Sequence, residues 1–116
     1  MSYQQLEIEV IRWAEERAII QNSNIQAQAR KTLEEAGELL EAASAYRVAC
    51  ACDSDSLIQA WHQRYVDALG DVLVTLVVGA ATADVDLTDC LAKAYEEIKD
   101  RKGYLRADGV FVKDVK

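Results

Sequence analysis

LIQAWHQRYVDALGDVLVTLVVGAATA, residues 57–83, is the stretch on which the fold turns. Trp61, Tyr65 and Leu69 recur at four-residue steps, the period of an amphipathic helix. From Val72 to Val78 the run is then apolar nearly all round. That change predicts a helix over about Leu57–Ala83 that is buried on most sides, in a bundle core or an oligomer interface. Asp71 sits among residues expected to be buried, where an ionised carboxylate is costly unless it is paired or binds a metal. Asp is also a poor mid-helix residue. Asp67 lies one turn earlier on the same face. Gly70 weakens a helix, so it predicts close approach of another helix at that point. A salt bridge from Asp71 to Arg17 or Lys31 is the structural alternative to metal binding.

The flanking chain also reads as helical. Leu6, Val10, Trp13 and Arg17 mark a first helix over about Ser2–Gln21, with Ser2 as N-cap and Gln5 completing a capping box. Gln21 to Asn24 reads as a loop. Leu33, Ala36, Leu40, Ala43 and Arg47 mark a second helix over about Ile25–Cys50, and Cys52–Ser56 is a polar loop. After a turn at Ala83–Asp86, a further helix capped by Asp86 is expected to end near Lys102 with Gly103 at C′. Lys99, Arg101 and Lys102 then fall in its last turn, where they suit the macrodipole. Asp108-Gly109, between Leu105 and Val110-Phe111-Val112, signals a hairpin turn. The 116 residues therefore read as one all-α domain, a four-helix bundle-like protomer with a short C-terminal hairpin or extended arm.

Composition narrows the function. The chain lacks proline, has five glycines, and carries a net charge of −7. The acidic balance argues against a general nucleic-acid binder but not against a small phosphate substrate, because a bound metal reverses the local field. Three cysteines, Cys50, Cys52 and Cys90, lack disulfide or zinc spacing and read as buried or idle thiols in a reducing cytosol. Met1–Gln5 does not open a signal peptide. The longest apolar stretch, Val72–Ala83, is interrupted by Thr75, Gly79 and Thr82 and reads as too short for a bilayer. A cytoplasmic protein without membrane or nucleic-acid partners is the expectation.

The second predicted helix carries Glu34-Glu35-Ala36-Gly37-Glu38-Leu39-Leu40-Glu41. Residues three and four apart are helix neighbours, so Glu34 and Glu35 flank Glu38 and Glu41 extends the column. Like charges at this spacing cost a few tenths of a kcal/mol per pair, a cost that a divalent cation reverses. Taken alone the run reads first as a solvated acidic face, because Glu is a good helix former and such runs are common on surface helices. With Asp67 and Asp71 facing Glu35 and Glu38 across a helix pair, it becomes a bundle metal site.

E-E-A-G-E-L-L-E-A followed by D-A-L-G-D-V-L-V-T-L resembles the paired acidic motifs of the MazG-like, all-α nucleoside triphosphate pyrophosphatases. The tail A-Y-E-E-I-K-D-R-K-G-x-x-x-x-D-G-V-F-V-K is similar to a single-domain branch of that family found in phages and bacteria. The likeness runs from about Ile11 to Lys113. It departs from the family at Ala68, where the second motif usually has Glu; Asp67 is the nearest acid. The resemblance implies Mg²⁺-dependent (or Mn²⁺-dependent) hydrolysis of a nucleoside triphosphate to a monophosphate and pyrophosphate. Glu35, Glu38 and Asp71, with Asp67 in place of the missing Glu, are the implied metal ligands. Glu34, Glu35 and Glu38 form the implied catalytic set, with Glu34 or Asp67 positioned to orient or deprotonate water. Lys31, Lys99, Arg101 and Lys102 are candidates for the pyrophosphate. Trp13 is a candidate for stacking on the base, with Asn22, Asn24 or Gln28 reading its edge; a core role for Trp13 is the alternative. A homodimer or homotetramer is implied as well. A non-catalytic nucleotide- or metal-binding module on the same scaffold, or a purely structural helical protein, are the rival readings, and the preferred base and sugar stay open.

Overall fold

The computed structural model describes residues 1–115. Five helices, α1 (Tyr3–Glu16), α2 (Ile19–Asn22), α3 (Ile25–Ala51), α4 (Asp55–Thr82) and α5 (Leu87–Ile98), precede a hairpin of β1 (Gly103–Leu105) and β2 (Phe111–Lys113). The fold is all-α. The chain divides into two compact units, Met1–Val85 and Asp86–Lys116. The four helices of the first unit are thus not the four expected, because a short α2 is added and α5 belongs to the second.

α1 begins as the sequence dictates: the Ser2 hydroxyl accepts from the Gln5 N–H at 3.2 Å, and the Gln5 side chain accepts from the Ser2 N–H at 2.7 Å. It does not continue to Gln21. Ala18 adopts a left-handed conformation, φ 59°. The Asn22 amide donates to the Ala18 carbonyl at 2.9 Å and the Gln21 amide to the Glu15 carbonyl at 3.4 Å. Side-chain amides thereby compete for carbonyls at the helix end, and the expected loop at 21–24 is reduced to Ser23 and Asn24.

Asn24 caps α3 by accepting from the Ala27 N–H at 2.8 Å. Thr32, early in α3, donates to Thr75, late in α4, at 2.8 Å, and Thr75 donates on to the Val72 carbonyl at 2.6 Å. The two long helices therefore run antiparallel. The buried set consists of small residues: Ala42 and Ala49 of α3, Ala68, Thr75, Val77 and Val78 of α4, and Ala14 of α1.

The burial expected for Val72–Val78 is met in part within the single chain: Thr75, Val77 and Val78 are buried and Val72 and Val74 half-buried, while Val66, Leu69, Leu73 and Leu76, spaced three, four and three apart, remain 41–46% exposed. Asp71 is likewise exposed rather than buried. A Cβ added at Gly70 would meet nothing within 4 Å; α1 stands across a small cavity from it, too far for the close approach expected there. The three thiols are also exposed, not buried. By length and composition α4 would pass for a membrane span, with a window of mean hydropathy 1.5, because its interruptions are too mild to lower the average. Its apolar half nonetheless carries Asp67 and Asp71, which hydrocarbon would penalise.

In the second unit the Asp86 carboxylate caps α5 through the Thr88 N–H at 2.8 Å. α5 stops at Ile98, so Lys99, Arg101 and Lys102 lie beyond its last turn. Gly103 is no helix cap but the first residue of β1: a Cβ there would stand 2.1 Å from the Val112 carbonyl oxygen. The hairpin forms where Asp108-Gly109 predicts, with Tyr104 opposite Val112 and Gly109 at φ +89°.

Candidate active site

Lys31, Glu34, Glu35, Glu38 and Glu41 follow one another along α3 at helical spacing. Lys31 Nζ lies 3.3 Å from Glu34 and 3.2 Å from Glu35. Those two carboxylates raise the Lys31 pKa, Glu35 most strongly. Glu35 is the covered member, its side chain only 12% exposed. One of its oxygens meets Lys31, while Oε2 is buried without a hydrogen-bond partner. Glu35 also holds the Glu38 pKa above the usual carboxylate range, first through the hydrogen bond that a protonated Glu38 donates to it and then through the repulsion between the two charges when both are ionised, with burial adding to both.

Across from α3, α4 presents Arg64, Asp67 and Asp71 on successive turns. With Glu38, Glu41 and Trp61 they line a cavity of about 320 Å³. The sequence-predicted Glu38, Asp67 and Asp71 are thus brought to one cavity; Glu35 is joined to it through Glu38 without lining it, and Glu34 points outward to Lys31 at 61% exposure. Asp71 pairs with neither Arg17 nor Lys31: the first stacks on Trp13 and the second holds Glu34 and Glu35. Among the described residues no three acid, His or Cys side chains are drawn together as a ready metal cluster. The donor set still fits a hard cation. It is all carboxylate oxygen, it includes an orphaned buried Oε2, and it contains a Glu35–Glu38 pair whose mutual repulsion a cation would relieve. Ala68, at the family's usual Glu position, is 6% exposed and lines the same cavity.

A second, more apolar cavity of about 650 Å³ brings together Trp13, Asn22, Asn24, Gln28 and Lys31, the residues named from sequence for base and phosphate. Arg17, read from sequence as part of a stripe and as a salt-bridge partner for Asp71, also lines it and covers one Trp13 face at 4.7 Å, while donating to the Trp13 carbonyl at 3.1 Å. Lys99, Arg101 and Lys102 belong to the second unit, where Lys99 pairs with Glu96 at 2.8 Å. Sequence reasoning missed Trp61 and Arg64. The available signal was the i, i+3, i+6 spacing of Trp61, Arg64 and Asp67, which sets all three near one face.

Compared with known proteins, residues 12–98 match the family model described as phosphoribosyl-ATP pyrophosphohydrolase. No curated protein and no solved structure matches the chain.

Proposed function

Because the chain belongs to the phosphoribosyl-ATP pyrophosphohydrolase family, whose model spans both acidic helices, we propose that it hydrolyses a nucleoside triphosphate between the α- and β-phosphates with Mg²⁺ (or Mn²⁺). Pyrophosphohydrolysis, the cleavage of an acid anhydride, is the chemistry of that family; the triphosphate substrate, the metal and a MazG-like branch are our reading. The observation that carries it is the unpartnered Glu35 Oε2 behind Glu38, whose own pKa is raised and which lines a cavity together with Asp67 and Asp71.

Glu35, Glu38 and Asp71, with Asp67, are the residues that would hold the cation. Bound there, Mg²⁺ supplies charge neutralisation for the phosphates and makes water more acidic. Asp67, steadied by the Gln63 amide at 3.0 Å, and Glu34 are the groups placed to orient or deprotonate the attacking water. Lys31 lines the larger cavity and lies seven residues before Glu38, about 10 Å of helix, so its ammonium suits the middle of a polyphosphate. The larger cavity suits the nucleoside, with Trp13 as its aromatic wall.

Phosphoribosyl-ATP is a second substrate reading, favoured by the family match. A non-catalytic nucleotide-binding module is favoured only by Ala68. One experiment separates them: pyrophosphate release from canonical and modified (d)NTPs and from phosphoribosyl-ATP, with Mg²⁺, comparing the protein with Glu38→Ala. Turnover abolished by the substitution supports the site; equal turnover in both removes it; tight binding without product selects the non-catalytic module. We also propose a cytoplasmic homodimer or homotetramer, because the Val66, Leu69, Leu73 and Leu76 seam has the heptad-like spacing that a second helix covers.

A further inference from the structure

We infer that Arg64, held on the face of Trp61, is the grip for the terminal phosphates of the substrate and for the pyrophosphate product; this rests on the hydrolase reading above. The guanidinium lies 4.7 Å from the Trp61 ring centroid. Four carboxylates, Glu38, Glu41, Asp67 and Asp71, line the same cavity, and Asp67 is three residues on along the same helix. An arginine so placed ordinarily pairs with its i+3 acid. Here no ion pair forms between Arg64 and any described carboxylate, and Asp67 takes its hydrogen bond from Gln63 instead.

Stacking decides what the arginine has left to offer. A guanidinium lying on an aromatic ring spends its face, while its N–H donors radiate from the edge. Arg64 lines the cavity, so a fork free of any carboxylate is available there to bond two phosphate oxygens at once. The acid walls around it repel a bare polyphosphate and admit one neutralised by a divalent cation. Arg64 and the carboxylates thus divide the work: the acids take the cation, and the arginine takes the oxygens that face away from it. The about 320 Å³ of this cavity suits pyrophosphate, leaving the nucleoside to the larger cavity.

The test uses the whole protein and inorganic pyrophosphate. Pyrophosphate with Mg²⁺ should inhibit turnover and raise the melting temperature of the wild type above Mg²⁺ alone. Arg64→Ala should weaken that inhibition about tenfold or more, the value of a charge-assisted pair, while leaving the shift by Mg²⁺ alone intact. Arg64→Lys should recover only part, because a lysine neither stacks flat nor bonds two oxygens from a fork. Trp61→Leu, which keeps the charge and loses the platform, should fall between wild type and Arg64→Ala. Unchanged pyrophosphate inhibition and thermal shift in Arg64→Ala, or no pyrophosphate response in the wild type, would overturn the grip. If the wild type turns over no substrate, the hydrolase reading fails, and the pyrophosphate thermal shift still decides whether Arg64 binds the anion.

Discussion

Glu35 has one carboxylate oxygen against Lys31 and the other buried against no donor, with Glu38 pressed beside it. The Glu38 pKa is raised, so the pair's contribution to stability is present at low pH and lost as pH rises through the folded value. Glu35→Gln removes this repulsion. The metal-free variant should melt no lower than the wild type near neutral pH, while its stabilisation by Mg²⁺ collapses; thermal melts with and without Mg²⁺ check both. Ala68 poses the opposite case. Ala68→Glu would force a fifth acid into a cavity already lined by four. We expect a lower melting temperature without metal and a larger Mg²⁺ shift with it, measured in the same assay. The acid column was legible in the sequence because i+3 and i+4 arithmetic fixes which side chains are neighbours. Arg64 was not, because spacing alone leaves open whether an arginine pairs with the next carboxylate or stacks on the preceding aromatic.

At the scale of elements, α3 and α4 match their sequence reading to within two residues at each end, since Asn24 and the polar run at Cys52–Ser54 punctuate them clearly. The break at Ala18 was hidden, because alanine is the best helix former and the cause lies downstream in the amides of Gln21 and Asn22. A left-handed alanine costs roughly 1 kcal/mol that glycine avoids. Ala18→Gly should therefore raise stability by up to about 1 kcal/mol, read from the denaturation midpoint. In the hairpin, Arg106 holds the Asp108 pKa below the usual range, helped by the Val110 N–H. That contribution is present above the ordinary aspartate range and disappears as pH falls through the depressed folded value. The protection of the Val110 amide relative to its intrinsic exchange rate should fall in acid, and in Asp108→Asn that protection should show a much flatter pH dependence.

For the whole molecule, the apolar run Val72–Val78 left two ways of covering a helix open, a bundle core or an oligomer interface. Apolar composition states that a surface avoids water but not which chain covers it, and in the single chain Leu73 and Leu76 stay 41% exposed. Leu69→Glu with Leu73→Glu should convert the proposed oligomer to a single chain by light scattering; an unchanged mass would assign the seam another role. The family match, spanning residues 12–98, crosses from the first compact unit into the second, so its motif order was readable where three-dimensional grouping was not. The uncovered seam also bears on the protein's earliest moments. A freshly made copy enters a crowded solution with a greasy strip on show, where sticking to strangers competes with meeting its own kind. Its surplus of seven negative charges slows every such encounter, right and wrong alike. Abundance at synthesis, and the salt that softens that repulsion, would then set how many copies mature rather than clump.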